Sequence, residues 1–113
     1  MVYATYLLRC SDGSLYAGIA RDVKRRMEEH CSGDGKGAKY TRSHPPKALC
    51  CVWESADRAC ASRLEYRIKQ LSKEKKERLA AGEELSAVFD AAFAAEYRPL
   101  NVEELRLFQG IFA

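Results

Sequence analysis

The sequence predicts an α+β domain in which a small three-stranded antiparallel sheet is flanked by helices. Residues 2–10 and 14–19 are rich in β-branched and aromatic types, and the turn-forming residues 11–13 between them indicate a β-hairpin. A third apolar run, residues 47–54, predicts a buried strand. A chain of 113 residues with 47% hydrophobic content can bury one modest core. One compact domain is therefore expected.

The composition argues against a zinc protein and a membrane protein and is compatible with a nucleic-acid-binding protein. The 19 Lys and Arg residues against 16 Asp and Glu give a net charge of +3, which permits nucleic acid as a partner without demanding it. The five cysteines form no C-x-x-C pair and, with the two histidines, lack the short repeated spacing of a zinc site. No apolar stretch is long enough to cross a bilayer. We expect a reduced, cytoplasmic protein without zinc and away from the membrane.

Two loops can close the first hairpin, and they differ in strand register by one residue. A two-residue turn places Tyr16 opposite Arg9, so that Tyr6 and Tyr16 lie on opposite faces of the sheet, because side chains alternate along a strand. A three-residue loop, residues 11–13, closed by a glycine in the left-handed region, pairs Tyr6 with Gly18. Both tyrosines then share one face as diagonal neighbours.

The first helix is expected over residues 23–30, with Asp22 as its N-cap. Within it Arg26 and His30 are four residues apart, which places them on the same face. Residues 36–42, which follow a glycine-rich loop, predict a short helical turn and loop.

A second long helix is expected to begin between residues 55 and 57 and to run to about Leu71. Glu65 lies about 40° around this helix from the apolar Ala61, so it can point into a pocket rather than straight to solvent. A charged helix over 73–81 follows, capped by Ser72.

The rest of the chain predicts an Ala-rich amphipathic segment over 85–97 and a short helix over 102–108. Apolar side chains near the end either fold back over the core or dock a partner. These side chains are Leu105, Leu107, Phe108, Ile111 and Phe112.

An ordered set of polar and aromatic residues carries a family resemblance. The set is Tyr6, Tyr16, Gly18, Arg26, His30 and Glu65. It resembles the GIY-YIG nuclease pattern, whose name motifs here read Ala4-Thr5-Tyr6 and Tyr16-Ala17-Gly18 and keep only the tyrosines and the second glycine. Residues 16–30 are similar throughout, and 36–42 resemble the loop of the short stand-alone, single-domain members. The resemblance covers about residues 2–81.

The resemblance implies a fold, a domain plan and an activity. The fold is the three-stranded sheet flanked by helices, with a GIY-YIG-like catalytic domain over 1–81 and a helical C-terminal extension of the same domain over 82–113. The activity is endonuclease hydrolysis of DNA phosphodiester bonds, structure-directed or single-strand-directed rather than sequence-specific, because the chain has no room for a recognition domain. The implied catalytic residues are Tyr6, Tyr16, Arg26, His30 and Glu65.

Phosphodiester hydrolysis needs an activated water and stabilisation of extra negative charge on the phosphoryl oxygens. Glu65 is the acid that we assign to a metal, because Mg²⁺ (or Mn²⁺) is commonly held by one carboxylate together with waters and substrate phosphate. Arg26 can make a forked bond to the phosphate. By resemblance Tyr6 deprotonates the water, His30 relays or holds the proton, and Tyr16 orients the water or phosphate. The division of labour between the two tyrosines is open.

Four residues of the loop after the first helix are expected to contact nucleic acid: Lys36, Lys39, Tyr40 and Arg42. Cations there suit the phosphate backbone, and Tyr40 can stack on a base if the strand is single, so single-stranded or branched DNA is favoured over plain duplex. In some relatives an asparagine near the C-terminal end completes the site, and Asn101 is the match here.

Each residue also has an ordinary structural explanation. The tyrosines could pack across a hairpin, Arg26 and His30 could be a solvated helix face, and Glu65 could pair with Lys69. The five residues in this order and spacing favour the nuclease site over chance. The functional alternative is a non-catalytic nucleic-acid-binding module of the same fold.

Overall fold

The computed structural model describes residues 2–32 and 39–112 and has a four-stranded antiparallel sheet. In sheet order the strands are β2 (Leu15–Ala20), β1 (Tyr3–Cys10), β3 (Pro46–Ser55) and β4 (Arg98–Pro99). The α+β class is confirmed. The expected strand count was wrong by one, because the C-terminal segment supplies β4, which pairs with the outer edge of β3 through only two residue pairs.

The β1–β2 hairpin has the three-residue loop and not the two-residue turn. The backbone N–H of Cys10 donates to the carbonyl of Ser14 at 2.8 Å, and Gly13 has a φ of 88°, the left-handed conformation that favours glycine. Tyr6 consequently pairs with Gly18. Tyr6 and Tyr16 therefore lie on one face of the sheet.

Six α-helices and two short 3₁₀ helices, Leu85–Ala87 and Gly110–Phe112, lie among the described residues. The α-helices are α1 (Val23–Ser32), α2 (Lys39–Ser43), α3 (Arg58–Lys69), α4 (Lys73–Ala80), α5 (Ala91–Ala94) and α6 (Val102–Gln109). The Asp22 carboxylate accepts the backbone N–H of Arg25 at 3.1 Å, so Asp22 caps α1 as expected, although the helix runs two residues past its expected end at His30. Every helix in 2–32 and 39–112 is too short or too polar to span a membrane.

Apolar residues cover both faces of the sheet, because alternate strand side chains point to opposite sides. On one face, helix α3 packs over β1 and β2 through its buried residues, and α4 and α5 complete that layer. This core contains Leu7, Ala17, Trp53, Leu64, Ile68, Leu79, Leu85, Phe93 and Tyr97. The other face is covered by α1 and α6. That core contains Ala4, Tyr6, Leu8, Ala20, Met27, Leu49 and Val52.

The C-terminal segment is less helical than the sequence predicts. Residues 85–97 form a 3₁₀ turn at Leu85–Ala87 and a separate short helix, α5, which Asp90 caps by accepting the N–H of Phe93 at 2.9 Å. The break allows Leu85 and Phe93 to reach the same core. Four of the five apolar residues near the end pack against the Tyr6 side of the sheet, whereas Leu107 is 78% exposed. The domain boundary at residue 81 stays a prediction.

Gly18 leaves room for the Tyr6 ring. A Cβ built on Gly18 would lie 2.6 Å from Cζ of Tyr6, a separation that packed carbon atoms do not adopt. Because Tyr6 is only 1% exposed, its ring has no open space into which to move. Glycine at this position is therefore required by the packing of Tyr6.

We expect Gly18→Ala to lower the free energy of unfolding by about 1–3 kcal/mol, the usual effect of overpacking a core. Urea denaturation followed by circular dichroism measures this change. Gly110→Ala is the matched control, because a Cβ there meets no atom within 4 Å and the backbone φ is −62°. Equal stability of the two variants would contradict the packing of Tyr6 over Gly18.

Candidate active site

A chain of buried hydrogen bonds joins β1, α1 and α2. The hydroxyl oxygen of Tyr6 lies 2.7 Å from Nε2 of His30, and Nδ1 of the same imidazole lies 2.7 Å from Oγ1 of Thr41. All three side chains are buried. The imidazole therefore has a partner on each ring nitrogen, which holds its orientation.

Tyr16 lies beside this chain on the same face of the sheet. Its ring centroid is 6.4 Å from that of Tyr6 and 5.8 Å from that of His30. Unlike Tyr6, Tyr16 is only partly buried, so it faces the side of the site that solvent reaches.

Arg26 brings a permanent positive charge to the same place. It lies on α1 one turn before His30, and its guanidinium hydrogen-bonds the hydroxyl of Tyr6. Nη1 of Arg26 also pairs with a carboxylate oxygen of Glu29 at 2.9 Å. The side chain remains 28% exposed, so an anion arriving from solvent can reach it.

Glu65 reaches the site from the opposite layer. Helix α3 packs over β1 and the edge strand β2. Desolvation raises the pKa of both Tyr6 and Tyr16, and the nearby negative charge of Glu65 adds to that rise. Its side chain is 22% exposed, and Oε2 lies 3.4 Å from Nζ of Lys69. Groups from both layers of the fold thus meet at the open edge of the sheet.

Burial keeps Tyr6 and His30 in their neutral forms. Desolvation raises the pKa of the Tyr6 phenol above its ordinary value, although the hydrogen bond from Arg26 opposes this shift. Desolvation and the charge of Arg26 together lower the pKa of His30 to about 4. At neutral pH Tyr6 therefore carries its proton and His30 is uncharged.

One carboxylate at this site suits a hard cation. Among the residues that the structure describes, no three His, Cys, Asp or Glu side chains gather as a metal cluster. The donor set is instead a partly exposed carboxylate, Glu65, beside two phenols and a guanidinium. Mg²⁺ accepts one carboxylate when waters and substrate phosphate complete its octahedron, so the residues present fit that ion.

Residues 2–78 match the family model of the GIY-YIG catalytic domain. This chain belongs to the GIY-YIG family. It is 46% identical over 81 residues to the UPF0213 protein BH0048 of Halalkalibacterium halodurans, an alignment that covers 72% of this chain and 84% of that protein. A UPF0213 protein of Yersinia enterocolitica is 48% identical over 83 residues, 74% of this chain and 84% of its own. The family resemblance predicted from the sequence is confirmed.

A solved structure is also similar: the solution NMR structure of the UPF0213 protein BH0048 from Bacillus halodurans. It is 39% identical, covers 84% of this chain and 94% of its own, and has a TM-score of 0.46. The GIY-YIG domain defines a nuclease superfamily, and a nuclease acts on nucleic acid. Tyr6, Tyr16, Arg26, His30 and Glu65 come together in this fold as their spacing predicts. Their catalytic roles stay predictions.

The residues expected to contact nucleic acid have different positions in this GIY-YIG fold. Lys36 lies outside the described residues, and Lys39 and Arg42 are exposed on α2. The Tyr40 ring stacks on Tyr16 at a centroid distance of 5.4 Å. It also stacks on His44 at 4.1 Å, and its hydroxyl donates to Ser14 at 2.7 Å. Because these contacts already engage the ring, stacking of Tyr40 on a base stays a prediction.

Asn101 has a structural role at the start of α6. Its side chain accepts the backbone N–H of Glu104 at 2.9 Å, and the Glu104 carboxylate accepts the N–H of Asn101, which together form a capping box. Asn101 lies two residues after the end of β4, a strand that β3 separates from β1. Its part in catalysis stays a prediction.

Thr41 is the residue of the hydrogen-bonded chain that the sequence did not identify. It lies between Tyr40 and Arg42, within a loop already expected to be functional, but a threonine there carries no distinctive pattern. Its contact with His30 exists only because α2 folds back onto α1.

The buried imidazole makes stability depend on pH. The pKa of His30, about 4 when folded, lies below its ordinary value of 6.5, so between these pH values the unfolded chain binds a proton that the folded protein excludes. We expect the free energy of unfolding to fall by roughly 2–3 kcal/mol from this group as pH is lowered from 6.5 to 4.

Urea unfolding of the wild type and of His30→Gln across this pH range measures how much His30 contributes to the pH dependence of the free energy of unfolding. Carboxylates titrate in both proteins, so the difference between the two isolates His30. The variant should lose less stability on acidification. Parallel losses in the two proteins would show that His30 is not held in its neutral form.

Proposed function

We propose that the protein is a metal-dependent endonuclease that hydrolyses DNA phosphodiester bonds and is directed by DNA structure or by single strands. The observation that carries the proposal is the 2.7 Å contact between Tyr6 and His30, beside which Tyr16, Arg26 and Glu65 converge. A buried phenol that is hydrogen-bonded to a neutral imidazole can transfer its proton to that imidazole.

Tyr6 and His30 act together as the base. Because the pKa of Tyr6 is raised, Tyr6 is protonated and not a phenolate at neutral pH. The Tyr6 hydroxyl instead donates its proton to Nε2 of His30 while its oxygen takes a proton from the attacking water. Nδ1–H of the imidazole then donates to Thr41, which stabilises the imidazolium that forms. This path requires His30 to carry its hydrogen on Nδ1 before reaction.

Substrate binding strengthens this base. The charge of Arg26 lowers the pKa of His30 in the free protein. A phosphate that pairs with the Arg26 guanidinium offsets that charge and so raises the pKa of the imidazole. Desolvation, the larger cause of the low pKa of His30, remains, so proton transfer becomes less unfavourable when the scissile phosphate is in place. Tyr16, partly exposed beside both rings, is positioned to orient the water or the phosphate.

Glu65 would hold Mg²⁺ or Mn²⁺. Such an ion supplies Lewis-acid stabilisation of charge on the phosphoryl and leaving oxygens when it is bound. The present partner of Glu65 is Lys69, whose side chain is 49% exposed, and an ion pair of this kind contributes little to stability. Lys69 can therefore yield the carboxylate to a metal without disturbing α3.

The position of Arg26 favours a flexible substrate. Its side chain is only 28% exposed, and Tyr6 beneath it is buried, so the scissile phosphate must come close to the protein surface. A single strand or a branch point can bend to do this at lower energy than a stiff duplex. The exposed cations Lys39 and Arg42 lie on α2 next to this opening and would contact the strand backbone.

Cleavage of labelled single-stranded, duplex and flapped DNA in Mg²⁺ tests the proposal. We expect the wild type to cut single-stranded or flapped DNA faster than duplex, and cutting to stop when EDTA removes the metal. Glu65→Gln and Tyr6→Phe should each slow cutting by roughly 100-fold or more, because they remove the metal ligand and the proton path.

Glu103→Gln is the matched control, because Glu103 is an exposed helical glutamate whose partner is Arg106 on the surface of α6. It should cut like the wild type. Metal-independent cutting, or full activity of Tyr6→Phe, would contradict the mechanism. Salt-sensitive binding without any cutting by the wild type would instead identify a non-catalytic binding module.

A further inference from the structure

The outward surface of α3 begins at Glu65 and continues around the helix as a polar and basic face. With 100° per residue, the side chains met in order around the helix from Glu65 are those of Arg58, Lys69, Ser62, Tyr66, Ala59 and Arg63. We call this set the α3 outer face. Its opposite side holds the residues that pack on the sheet. The outer face is thus the continuation of the candidate active site away from the core.

Tyr66 is an exposed aromatic residue at the centre of this face. Its side chain is 66% exposed, whereas Tyr6 and Tyr97 are buried and Tyr16 is partly buried. Within the described part of the chain the Tyr66 side chain makes no hydrogen bond and no ring stack, and its backbone carbonyl accepts the N–H of Gln70. One face of the Tyr66 ring is therefore available to a ligand, whereas the Tyr40 ring is already stacked on Tyr16 and His44.

Cations flank this ring. Helix α3 carries four basic residues, Arg58, Arg63, Arg67 and Lys69, against the single acid Glu65. Arg63 and Arg67 line a shallow hollow with Tyr66. Arg63 pairs with Glu96 at 3.4 Å on the surface, whereas the Arg67 guanidinium lies 4.0 Å over the ring of the core residue Phe93. A ring among cations is complementary to a nucleotide strand, whose bases stack and whose phosphates are anionic.

Lys69 joins this face to the catalytic residues. Its ammonium group lies 3.4 Å from the Glu65 carboxylate and 5.9 Å from the centroid of the Tyr16 ring. A strand with one phosphate at Arg26 and Glu65 therefore has a basic surface beside it, and Tyr66 is within one helical turn of Lys69.

We propose that the α3 outer face is a binding subsite for the single-stranded DNA that flanks the scissile phosphate, with one base stacked on Tyr66 and the backbone along Arg63 and Lys69. This subsite rests on the proposed nuclease function and extends it. The sequence-based expectation assigned base stacking to Tyr40, and the α3 outer face offers a second aromatic residue for that role.

Equilibrium binding of fluorescein-labelled single-stranded oligothymidylate, measured by anisotropy in EDTA so that no cutting occurs, tests the subsite. We expect Tyr66→Ala to raise the Kd roughly tenfold and Tyr66→Trp to restore binding, because stacking depends on the ring rather than on the hydroxyl. Leu107→Ala is the matched control: it truncates a 78% exposed side chain on α6 and should leave the Kd unchanged.

Arg63→Gln tests whether Arg63 contacts a phosphate of the bound strand. The slope of log K against log salt concentration should become shallower by about 0.7, the value for one phosphate contact on a single strand. Circular dichroism should show every variant folded, because each altered side chain is exposed.

Two results would overturn the subsite, and they differ in what they say of the enzyme. If the wild type binds and cuts DNA while Tyr66→Ala keeps the wild-type Kd, the α3 outer face is not a subsite but the nuclease function stands. If the wild type neither binds nor cuts any DNA, both fail together.

Discussion

The register of the β1–β2 hairpin determines whether this fold can hold a catalytic site. With Gly13 at a φ of 88°, the loop has three residues and Tyr6 pairs with Gly18. A shift of one residue would send Tyr16 to the other face of the sheet, because strand side chains alternate. The pairing also places a residue without a side chain under the Tyr6 ring. The position of His30, which the Tyr6 hydroxyl contacts, depends on the same register.

Burial of the tyrosine and the histidine is tolerated because their polar atoms are satisfied. Among the described residues, no buried side-chain nitrogen or oxygen atom lacks a hydrogen-bond partner. Desolvation holds Tyr6 and His30 neutral, whereas Arg26 and Glu65 stay partly exposed and charged. The site therefore combines a buried Tyr6–His30 pair with a partly exposed edge, at which the proposed anionic substrate and metal ion would bind.

Local patterns predicted the parts of the molecule that neighbouring residues control. Asp22 as a cap and Arg26 one turn before His30 follow from helix geometry, and the hairpin follows from its loop residues. Contacts between distant segments were not predictable. Strand β4 has only two residues and exists because β3 has an open edge, and Thr41 bonds His30 only after two helices have packed. Neither the pairing of β4 with β3 nor the Thr41–His30 hydrogen bond can be predicted from the residues that are local in sequence.

The tautomer of His30 tests the central claim most directly, because the proton path requires Nε2 to accept the Tyr6 hydroxyl proton. ¹⁵N NMR of the imidazole at neutral pH distinguishes a nitrogen that carries hydrogen from one that does not. We predict a neutral ring with hydrogen on Nδ1 and a bare Nε2 whose resonance shifts in Tyr6→Phe. Hydrogen on Nε2, or a ring charged at neutral pH, would contradict the account.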